Sequence, residues 1–228
     1  MSNFFAFPTK NSWDEDVFKL TTAGIVAVIV IMIALIALAV ILRPKKDESK
    51  VKTSVKQLAF SGVAMALALV TSEFLPTISM PMGGSVTIFS MLFVVLIGYW
   101  YGLKAGLMSA CAYGLLQFVI DPKFYSVPQL IVDYLLAFGA LGLSGIFSEK
   151  KWGLSLGYLT GVIGRYVFAV ISGFIFFGYY APEGTAPIVY SLGYNASYIL
   201  PEAVITLILI SLPPVAKALA QVKKMATE

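Results

Sequence analysis

Histidine is absent from the 228-residue sequence, and cysteine occurs only once, as Cys111. Without histidine the chain has no histidine proton relay, no zinc site of the usual kind and no serine–histidine dyad. A single cysteine excludes a disulfide within the chain. An aspartyl protease needs two embedded aspartates, and Asp133 is the only one well inside a long apolar run. These absences weigh against an enzyme, and no metal or cofactor is expected.

The P-loop motif G-x-x-x-x-G-K-[ST] is also missing, so any ATP-driven transport needs partner ATPases. Charged residues make up 12% of the chain and hydrophobic residues 59%, whereas soluble domains carry about 25% charged residues. Apolar runs of about 18 residues or more recur, and each can cross a bilayer. The composition predicts an all-α polytopic protein of the lipid bilayer. The net charge of +4 follows from membrane topology and indicates no nucleic-acid partner.

Seven spans are predicted, and the last six form one body. Their approximate ranges are 21–42, 56–75, 86–101, 103–120, 128–147, 154–180 and 189–212. The first span follows the acidic stretch "SWDEDVFK" and precedes the basic stretch "LRPKKDESKVK", which reverses the charges of a cleaved signal peptide. We therefore expect an uncleaved anchor with its tail and linker at 1–54 and a six-helix membrane domain at 55–228.

Basic residues predict the orientation of the chain. With the N-terminus outside, twelve of the sixteen lysines and arginines fall on the cytoplasmic side, three fall outside and Arg165 is embedded. Cytoplasmic loops carry the excess of positive charge in membrane proteins. The sequence thus predicts a multi-pass protein of the cell membrane with its N-terminus outside and its C-terminus in the cytoplasm.

Four ionisable residues lie within the predicted spans or at their edges: Glu73, Asp133, Arg165 and Glu202. A central charge costs about 2.5–3.5 kcal/mol on insertion scales, so each needs a partner or a wet cavity. Arg165 and Glu202 lie at similar depths, about 20 Å from the outer ends of their spans, whereas Asp133 is only about 8 Å deep. We predict a structural ion pair between Arg165 and Glu202, which leaves Asp133 and Glu73 without a cation on the outer side.

Helical spacing predicts which side of each helix these residues lie on. Asp133 and Arg165 each belong to a stripe of mostly small or polar residues. The first stripe is Gln129, Asp133, Ala137, Ala140 and Ser144, and the second is Arg165, Ala169, Ser172, Gly173 and Phe177. Such stripes on neighbouring helices should face each other rather than lipid. Asp133 is then either a protonated or water-paired packing residue, or part of an outward-facing site for a cationic or amine-bearing ligand.

Aromatic residues crowd the stretch 174–198, around the last outer connector. Some of them serve as an aromatic belt at the membrane interface. The alternative is an aromatic cage, which attracts organic cations through the ring quadrupoles. Asn195 adds a donor and an acceptor that a belt does not need, and Pro201 loosens the helical backbone close to Glu202.

Residues 55–228 resemble the thiamine-specific substrate-binding subunit, or S component, of energy-coupling factor transporters. The segments that carry the resemblance are "SMPMGGSVTI" (79–88), "GLKAGLMSACAYGLLQ" (102–117), "VPQLIVDYLLAFGALGLSGIF" (127–147), "RYVFAVISGFIFFGYYAPEGT" (165–185) and "VYSLGYNASYILP" (189–201). The first span lies outside the resemblance. This family implies a six-helix membrane subunit that captures thiamine from outside with high affinity. It also implies docking on a transmembrane coupling protein and two ATPases.

The resemblance implies roles for particular residues. The acidic ligand of the thiamine pyrimidine falls on Asp133, the tyrosine beside it on Tyr134 and the aromatic wall on Phe177. The full set of predicted substrate-binding residues is Asp133, Tyr134, Gly173, Phe177, Tyr190 and Asn195. The family often has a histidine where this chain has Ala169, so its ring contact with the ligand is missing here.

The family also contacts its coupling protein through a small-xxx-small motif on the first helix of the body. That motif falls on Gly62 and Ala66 in "LAFSGVAMALALV", and such spacing allows helices to approach closely. The alternative function is a proton-coupled secondary transporter for a small organic cation, with Asp133 or Glu202 as the proton carrier. Repeated halves with broken helices would support that alternative, and the sequence contains no such repeat.

Overall fold

The computed structural model describes residues 6–10, 16–23, 26, 55–75, 78–80, 84–123 and 126–228. The predicted anchor at 21–42 and the linker after it lie almost entirely outside these residues. The helices that follow are numbered in chain order. They are α1 (Val55–Glu73), α2 (Ser90–Ile120), α3 (Val127–Phe147), α4 (Gly153–Phe176), α5 (Pro187–Ser211) and α6 (Pro213–Thr227).

The helices α1 to α5 are long and apolar enough to cross a membrane. Their bounds lie within a few residues of the predicted spans, and a short 3-10 turn at Gly178–Tyr180 follows α4. The prediction of an all-α multi-pass membrane protein is therefore confirmed. Apolar residues such as Val63, Ile163 and Ile208 remain exposed on the outer faces of these helices, as expected where lipid is the solvent.

Two predicted spans, 86–101 and 103–120, form the single element α2, which reverses direction at Gly102. This glycine has φ 82° and ψ −179°, a conformation that residues with a Cβ rarely adopt. A Cβ built on Gly106 would lie 2.7 Å from the Cα of Gly98. Residues eight apart in a continuous helix are separated by about 12 Å. The two arms of α2 therefore fold back on each other where the sequence predicts two spans.

Glycines bring α2 and α3 into backbone contact near this reversal. A Cβ on Gly142 would lie 2.4 Å from the backbone of Gly106, and one on Gly145 would lie 2.3 Å from the backbone of Gly102. Real Cβ atoms do not approach other atoms this closely, so any larger residue would force the helices apart. Small residues are the usual means of close helix packing in membranes. We call the contact formed by Gly102, Gly106, Gly142 and Gly145 the glycine seam.

The helix α3 changes its hydrogen-bonding type along its length. It begins with one α-helical turn, continues as the π-helical segment Ile131–Leu136, and ends as the 3-10 segment Ala140–Phe147. A π segment widens the helix by one residue per turn and occurs frequently at functional sites. Asp133 and Tyr134, two of the predicted site residues, both lie in it.

Four short strands and α6 were not predicted from the sequence. The strand β1 (Ala6–Lys10) pairs antiparallel with β2 (Asp16–Leu20) in the N-terminal tail. The strand β3 (Ile78–Ser79) pairs with β4 (Ser85–Val86) in the connector between α1 and α2. Strands of two residues carry too little alternation of polar and apolar residues to be recognised from sequence.

The helix α6 packs against the reversal of α2 and the C-terminal end of α3, on the side of the glycine seam. The Lys223 ammonium donates to the carbonyl of Ser148 and lies 3.9 Å from the centroid of the Tyr99 ring. Ser148 caps the C-terminus of α3, where a positive charge is favourable. Burial lowers the pKa of Lys223. The Tyr101 hydroxyl donates to the carbonyl of Ala226 at 3.2 Å, so α6 is anchored at two points.

Candidate functional site

A cavity of about 180 Å³ lies at the end of the bundle opposite the glycine seam. Its walls come from the C-terminal ends of α1 and α4, the N-terminal ends of α3 and α5, the C-terminal arm of α2 and the β3–β4 connector. The six predicted substrate-binding residues all line it: Asp133, Tyr134, Gly173, Phe177, Tyr190 and Asn195. Helices from distant parts of the chain thus bring these side chains to one place.

Asp133 is half-buried in the wall formed by α3. The side-chain amide of Gln129 donates to Asp133 Oδ2 at 2.7 Å and also contacts the carbonyl of Lys123 at 3.2 Å. The buried hydroxyl of Ser172 lies close enough to this carboxylate to stabilise its charge, and it has no other hydrogen-bond partner among the described residues. A carboxylate has about four acceptor positions. The bond from Gln129 therefore leaves Asp133 with acceptor capacity for a ligand in the cavity.

Tyr134 fixes the connector at the mouth of the cavity. Its ring is buried against Phe118 and Phe138, with ring centroids 5.0 Å and 6.3 Å away. Its hydroxyl donates to the carbonyl of Asp121 at 3.2 Å and accepts from the backbone N–H of Lys123 at 3.1 Å. Tyr134 lines the cavity with its ring while its hydroxyl holds the chain that follows α2.

Asn195 lies on α5 and faces Gly173 on α4. Its Nδ2 donates to the carbonyls of Ser191 at 2.9 Å and Ala169 at 3.3 Å, and its Oδ1 accepts from the Tyr198 hydroxyl at 2.6 Å. A Cβ on Gly173 would lie 2.3 Å from the Ser191 hydroxyl oxygen and 3.1 Å from Asn195 Nδ2. Glycine is thus needed for this network, which holds Asn195 in the cavity wall with its amide donors largely engaged.

Four aromatic residues of the predicted stretch 174–198 line the cavity: Phe177, Tyr190, Tyr194 and Tyr198. Tyr190 and Tyr194 stack with centroids 6.0 Å apart, and Tyr194 meets Tyr198 edge-on at 5.7 Å. The Tyr194 hydroxyl accepts from the backbone N–H of Gly84 at 2.9 Å, which ties the β3–β4 connector to α5. Phe177, on α4, lines the same cavity. These rings therefore do more than mark the membrane interface.

The mouth of the cavity carries two carboxylates, Glu73 and Asp121. The Lys123 ammonium pairs with Asp121 Oδ2 at 3.0 Å. Glu73 accepts a hydrogen bond from the Ser72 hydroxyl at 3.3 Å and has no cation within 4.0 Å among the described residues. The mouth is therefore net acidic, which favours the approach of a cationic ligand.

The predicted direct ion pair between Arg165 and Glu202 is wrong. The Glu202 carboxylate accepts hydrogen bonds from the Thr87 hydroxyl, from the Met91 backbone N–H at 2.9 Å and from the Ser90 hydroxyl at 3.4 Å. Ser90 and Met91 begin α2, so Glu202 caps that helix from the side. Free N–H groups and the positive end of the helix dipole attract a carboxylate there. Arg165 attracts Glu202 only at longer range.

Arg165 instead turns toward the cavity. Its guanidinium carbon lies 4.4 Å from the centroid of the Phe138 ring, a cation–π contact. Among the residues that the structure describes, no carboxylate lies within 4.0 Å of this guanidinium. The cavity thus contains a carboxylate, Asp133, and a guanidinium that do not pair with each other.

Tyr113 and Gln117 are two of the three cavity-lining residues on α2 that were missed in the sequence prediction. The Gln117 amide donates to the Tyr113 hydroxyl at 2.5 Å and to the Ser72 hydroxyl at 2.8 Å, which joins α2 to α1 at the cavity. Tyr113 and Gln117 are four residues apart and share one helix face. A polar pair at this spacing inside an apolar span was the signal that could have identified them.

A membrane bundle with a polar and aromatic cavity at one end is the architecture of an embedded binding protein for a small organic molecule. Residues 58–221 match the family model described as thiamine transporter protein, and the chain belongs to this family. The resemblance noted in the sequence is confirmed.

Two relatives illustrate the match. The chain is 41% identical over 166 residues to the thiamine transporter ThiT of Bacillus subtilis (strain 168), which covers 67% of this chain and 84% of that protein. A solved structure of ThiT from Listeria monocytogenes superposes with a TM-score of 0.52 at 24% identity, over 70% of this chain and 93% of that chain. The structural likeness shows a shared fold.

Proposed function

We propose that this protein binds thiamine from outside the cell and delivers it to an ATP-driven energy-coupling factor transporter. The observation that carries the proposal is the Asp133 carboxylate in a cavity walled by aromatic rings. The name of the Bacillus subtilis relative supports thiamine as the ligand. Thiamine combines an aminopyrimidine, which donates hydrogen bonds, with a positively charged thiazolium ring.

The cavity matches both halves of such a ligand. Asp133 accepts from the amino group of the pyrimidine, and the Ser172 hydroxyl supplies a further donor beside it. Phe177 and Tyr190 offer ring faces to the ligand rings, and aromatic faces attract cations. Glu73 at the mouth adds a negative charge on the route of entry. Ala169 leaves space where related proteins place a histidine ring.

The orientation follows from the distribution of charge. The lysines of α6 and of the connector after α3 lie at the end with the glycine seam, and the positive-inside rule assigns this end to the cytoplasm. The cavity then lies at the outer end. The N-terminus is placed outside on the same rule, with residues 1–54 as a separate anchor segment and 55–228 as the binding domain.

Delivery requires partners, because the sequence has no P-loop. We place the contact with a transmembrane coupling protein on the exposed face of α1 around Gly62 and Ala66. Both residues are exposed, and a Cβ on Gly62 would meet nothing within 4 Å. Ala64 and Ala68 lie on the buried side of the same helix. The two ATPases of the module bind to the coupling protein in this proposal.

Calorimetry on the purified protein tests the proposal. We expect one thiamine per chain, with heat that disappears when a saturating competitor containing the same aminopyrimidine is present. Uptake into vesicles should require the coupling protein and ATP. Absence of both heat and thermal shift with thiamine contradicts the binding proposal. Uptake driven by a proton gradient without partners supports the secondary transporter instead.

A further inference from the structure

The end of the bundle with the glycine seam is strongly basic. Among the described residues of α1 to α6 and their connectors, seven lysines but only two glutamates, Glu149 and Glu228, lie at this end. The lysines come from four separate parts of the chain: Lys56, Lys104, Lys150, Lys151, Lys217, Lys223 and Lys224. None of them lines the cavity at the opposite end. Ligand binding therefore gives this charge no role.

The helix α6 contributes an exposed basic face. Its 15 residues span about 22 Å, less than the hydrocarbon core of a bilayer, and the chain is extended at Leu212 between α5 and α6, with φ −66° and ψ 128°. Lys217 and Lys224 are seven residues apart, exposed, and on one face of the helix. Lys224 pairs with Glu228 at 3.8 Å, but both are exposed and such a pair is weak. The opposite face packs on the core through Leu219, Val222 and Ala226.

The connector between α3 and α4 brings two more lysines to the same place. The Lys223 ammonium donates to the carbonyl of Ser148, so the last turns of α6 lie beside this connector. Lys150 and Lys151 are exposed, and no carboxylate lies within 4.0 Å of either in the described part of the chain. We call the four exposed lysines of α6 and the connector the basic patch: Lys150, Lys151, Lys217 and Lys224.

Trp152 shows at which depth the basic patch lies. It directly follows Lys151 and is 69% exposed. It is also the first member of a row of exposed apolar residues that runs along α4 at helical spacing: Trp152, Leu156, Leu159, Ile163, Val167 and Ile171. Such a row faces lipid in a membrane bundle. Tryptophan is enriched where a lipid-facing surface meets the headgroups. The basic patch is therefore continuous with the lipid-facing surface at the level of the headgroups.

We propose that the basic patch and Trp152 bind the headgroups of anionic phospholipids in the leaflet at this end of the bundle. The proposal does not depend on which ligand occupies the cavity. Each lysine near an anionic lipid surface strengthens binding roughly fivefold, and an indole ring is favourable at the membrane interface. An acidic protein would also attract the lysines, but the lipid-facing row that ends at Trp152 favours phospholipid.

Quenching of Trp152 fluorescence by brominated lipids tests the proposal. The full chain is reconstituted into nanodiscs of phosphatidylcholine with a minor fraction of phosphatidylglycerol. Two samples have the same composition and differ only in which of the two lipids carries bromine, at equal mole fraction. Subtraction of the signal of Trp152→Phe isolates Trp152 from Trp13 and Trp100. We expect brominated phosphatidylglycerol to quench Trp152 several-fold more than brominated phosphatidylcholine.

Variants show whether the lysines cause this preference. Lys150→Gln with Lys151→Gln should reduce it several-fold, and substitution of all four lysines of the basic patch by glutamine should abolish it. Lys123→Gln is the matched control, because it removes a lysine at the opposite end of the bundle. It should retain the preference. High salt should weaken the preference in the native protein, since exposed charges are screened.

Several outcomes overturn the proposal. Equal quenching by the two brominated lipids in the native protein does so, and so does a preference that survives substitution of all four lysines or is lost equally in Lys123→Gln. If quenching is equal but the fourfold variant loses uptake only with the coupling module present, the basic patch contacts an acidic protein instead. Failure to bind thiamine is a separate result, because it contradicts the proposed function and leaves the lipid measurement unchanged.

Discussion

The two ends of α3 are built in opposite ways. At one end the π segment Ile131–Leu136 carries Asp133 and Tyr134 along the wall of a cavity. At the other end the 3-10 segment Ala140–Phe147 carries Gly142 and Gly145 into backbone contact with α2. The backbone contact with α2 continues beside the cavity, where a Cβ on Gly114 would lie 1.9 Å from the carbonyl oxygen of Tyr134. The two ends therefore differ in what the other faces of α3 meet, a cavity at one end and packed helices at the other.

This difference shows how a small bundle can hold a cavity without losing its packing. Close packing at the glycine seam fixes the relative positions of α2 and α3, because their backbones touch and leave little freedom. At the cavity end the rings of Tyr134 and Phe138 stack beside the cavity, while Gly114 keeps α2 in contact with the backbone of α3. A rigid end therefore positions the polar groups of an open end.

The two carboxylates within the bundle, Glu202 and Asp133, differ in how many hydrogen-bond donors the protein gives them. Glu202 has three donors from its own protein, including a helix N-terminus. Asp133 has one direct donor, Gln129, and a hydroxyl nearby. Glu202 is accordingly satisfied within the fold, whereas Asp133 retains acceptor positions for a ligand. Stability and binding should depend on different carboxylates.

The largest effect is expected from breaking the rigid end. Gly142→Val places carbon atoms 2.4 Å from the backbone of Gly106 and Leu107, so α2 and α3 must separate and folded protein should be lost. Gly193→Val is the matched control, because nothing lies within 4 Å of its Cβ. Yield and thermal unfolding in detergent measure the result. A Gly142→Val protein with native thermal stability would show that the seam is not rigid.

The next effect concerns the open end. Asp133→Asn keeps the shape of the side chain but removes the charge and adds a donor, so affinity for thiamine should fall roughly ten- to more than a hundredfold. Asp133→Ala should lose at least as much affinity, while the ligand-free protein becomes no less stable, since a costly buried charge has been removed. Calorimetry and thermal unfolding measure both. Intact affinity in an unstable Asp133→Ala protein makes this aspartate a packing residue.

The opposite kind of effect, on stability rather than on affinity, is expected at the satisfied carboxylate. Glu202→Gln weakens the cap of α2 and should lower the stability of the ligand-free protein by about 1–3 kcal/mol. Glu183→Gln, on an exposed connector, serves as control and should have no effect. Thermal unfolding without ligand gives the comparison. If Glu202→Gln is as stable as the native protein, the helix cap contributes nothing.

The smallest effect on the isolated protein is expected on the exposed face of α1. Gly62→Leu and Ala66→Leu should leave thiamine affinity and thermal stability unchanged, because both side chains point away from the bundle. Uptake in cells that contain the coupling module should nevertheless be lost, since the added side chains obstruct docking. Val63→Ala, a reduction in size on an exposed neighbour, is the control. Normal uptake with the double substitution would rule out this face as the contact.

The sequence by itself determined the class of the protein and predicted residues that line one cavity. Hydrophobic runs can be counted directly, and the bilayer imposes their length, so the spans within the described residues 55–228 were predicted to within a few residues. Small and polar residues at helical spacing marked the faces that turn inward, and Asp133 and Gly173 were found on them. The family resemblance supplied the roles of the other predicted residues, and all six residues of the set line the same cavity.

The tertiary structure decided which charged groups meet. The sequence prediction paired Arg165 with Glu202 because they lie at similar depths along straight helices. In the structure α2 begins inside the bundle, and its N-terminus lies at Glu202. The N-terminus of a helix carries a partial positive charge from its backbone N–H groups, which no residue type in the sequence marks. A count of charged side chains therefore cannot identify it as the partner of Glu202. The π segment around Asp133 and the chain reversal at Gly102 were likewise not predicted from the sequence. Each depends on contacts between helices that are distant in the sequence, and only packing specifies them.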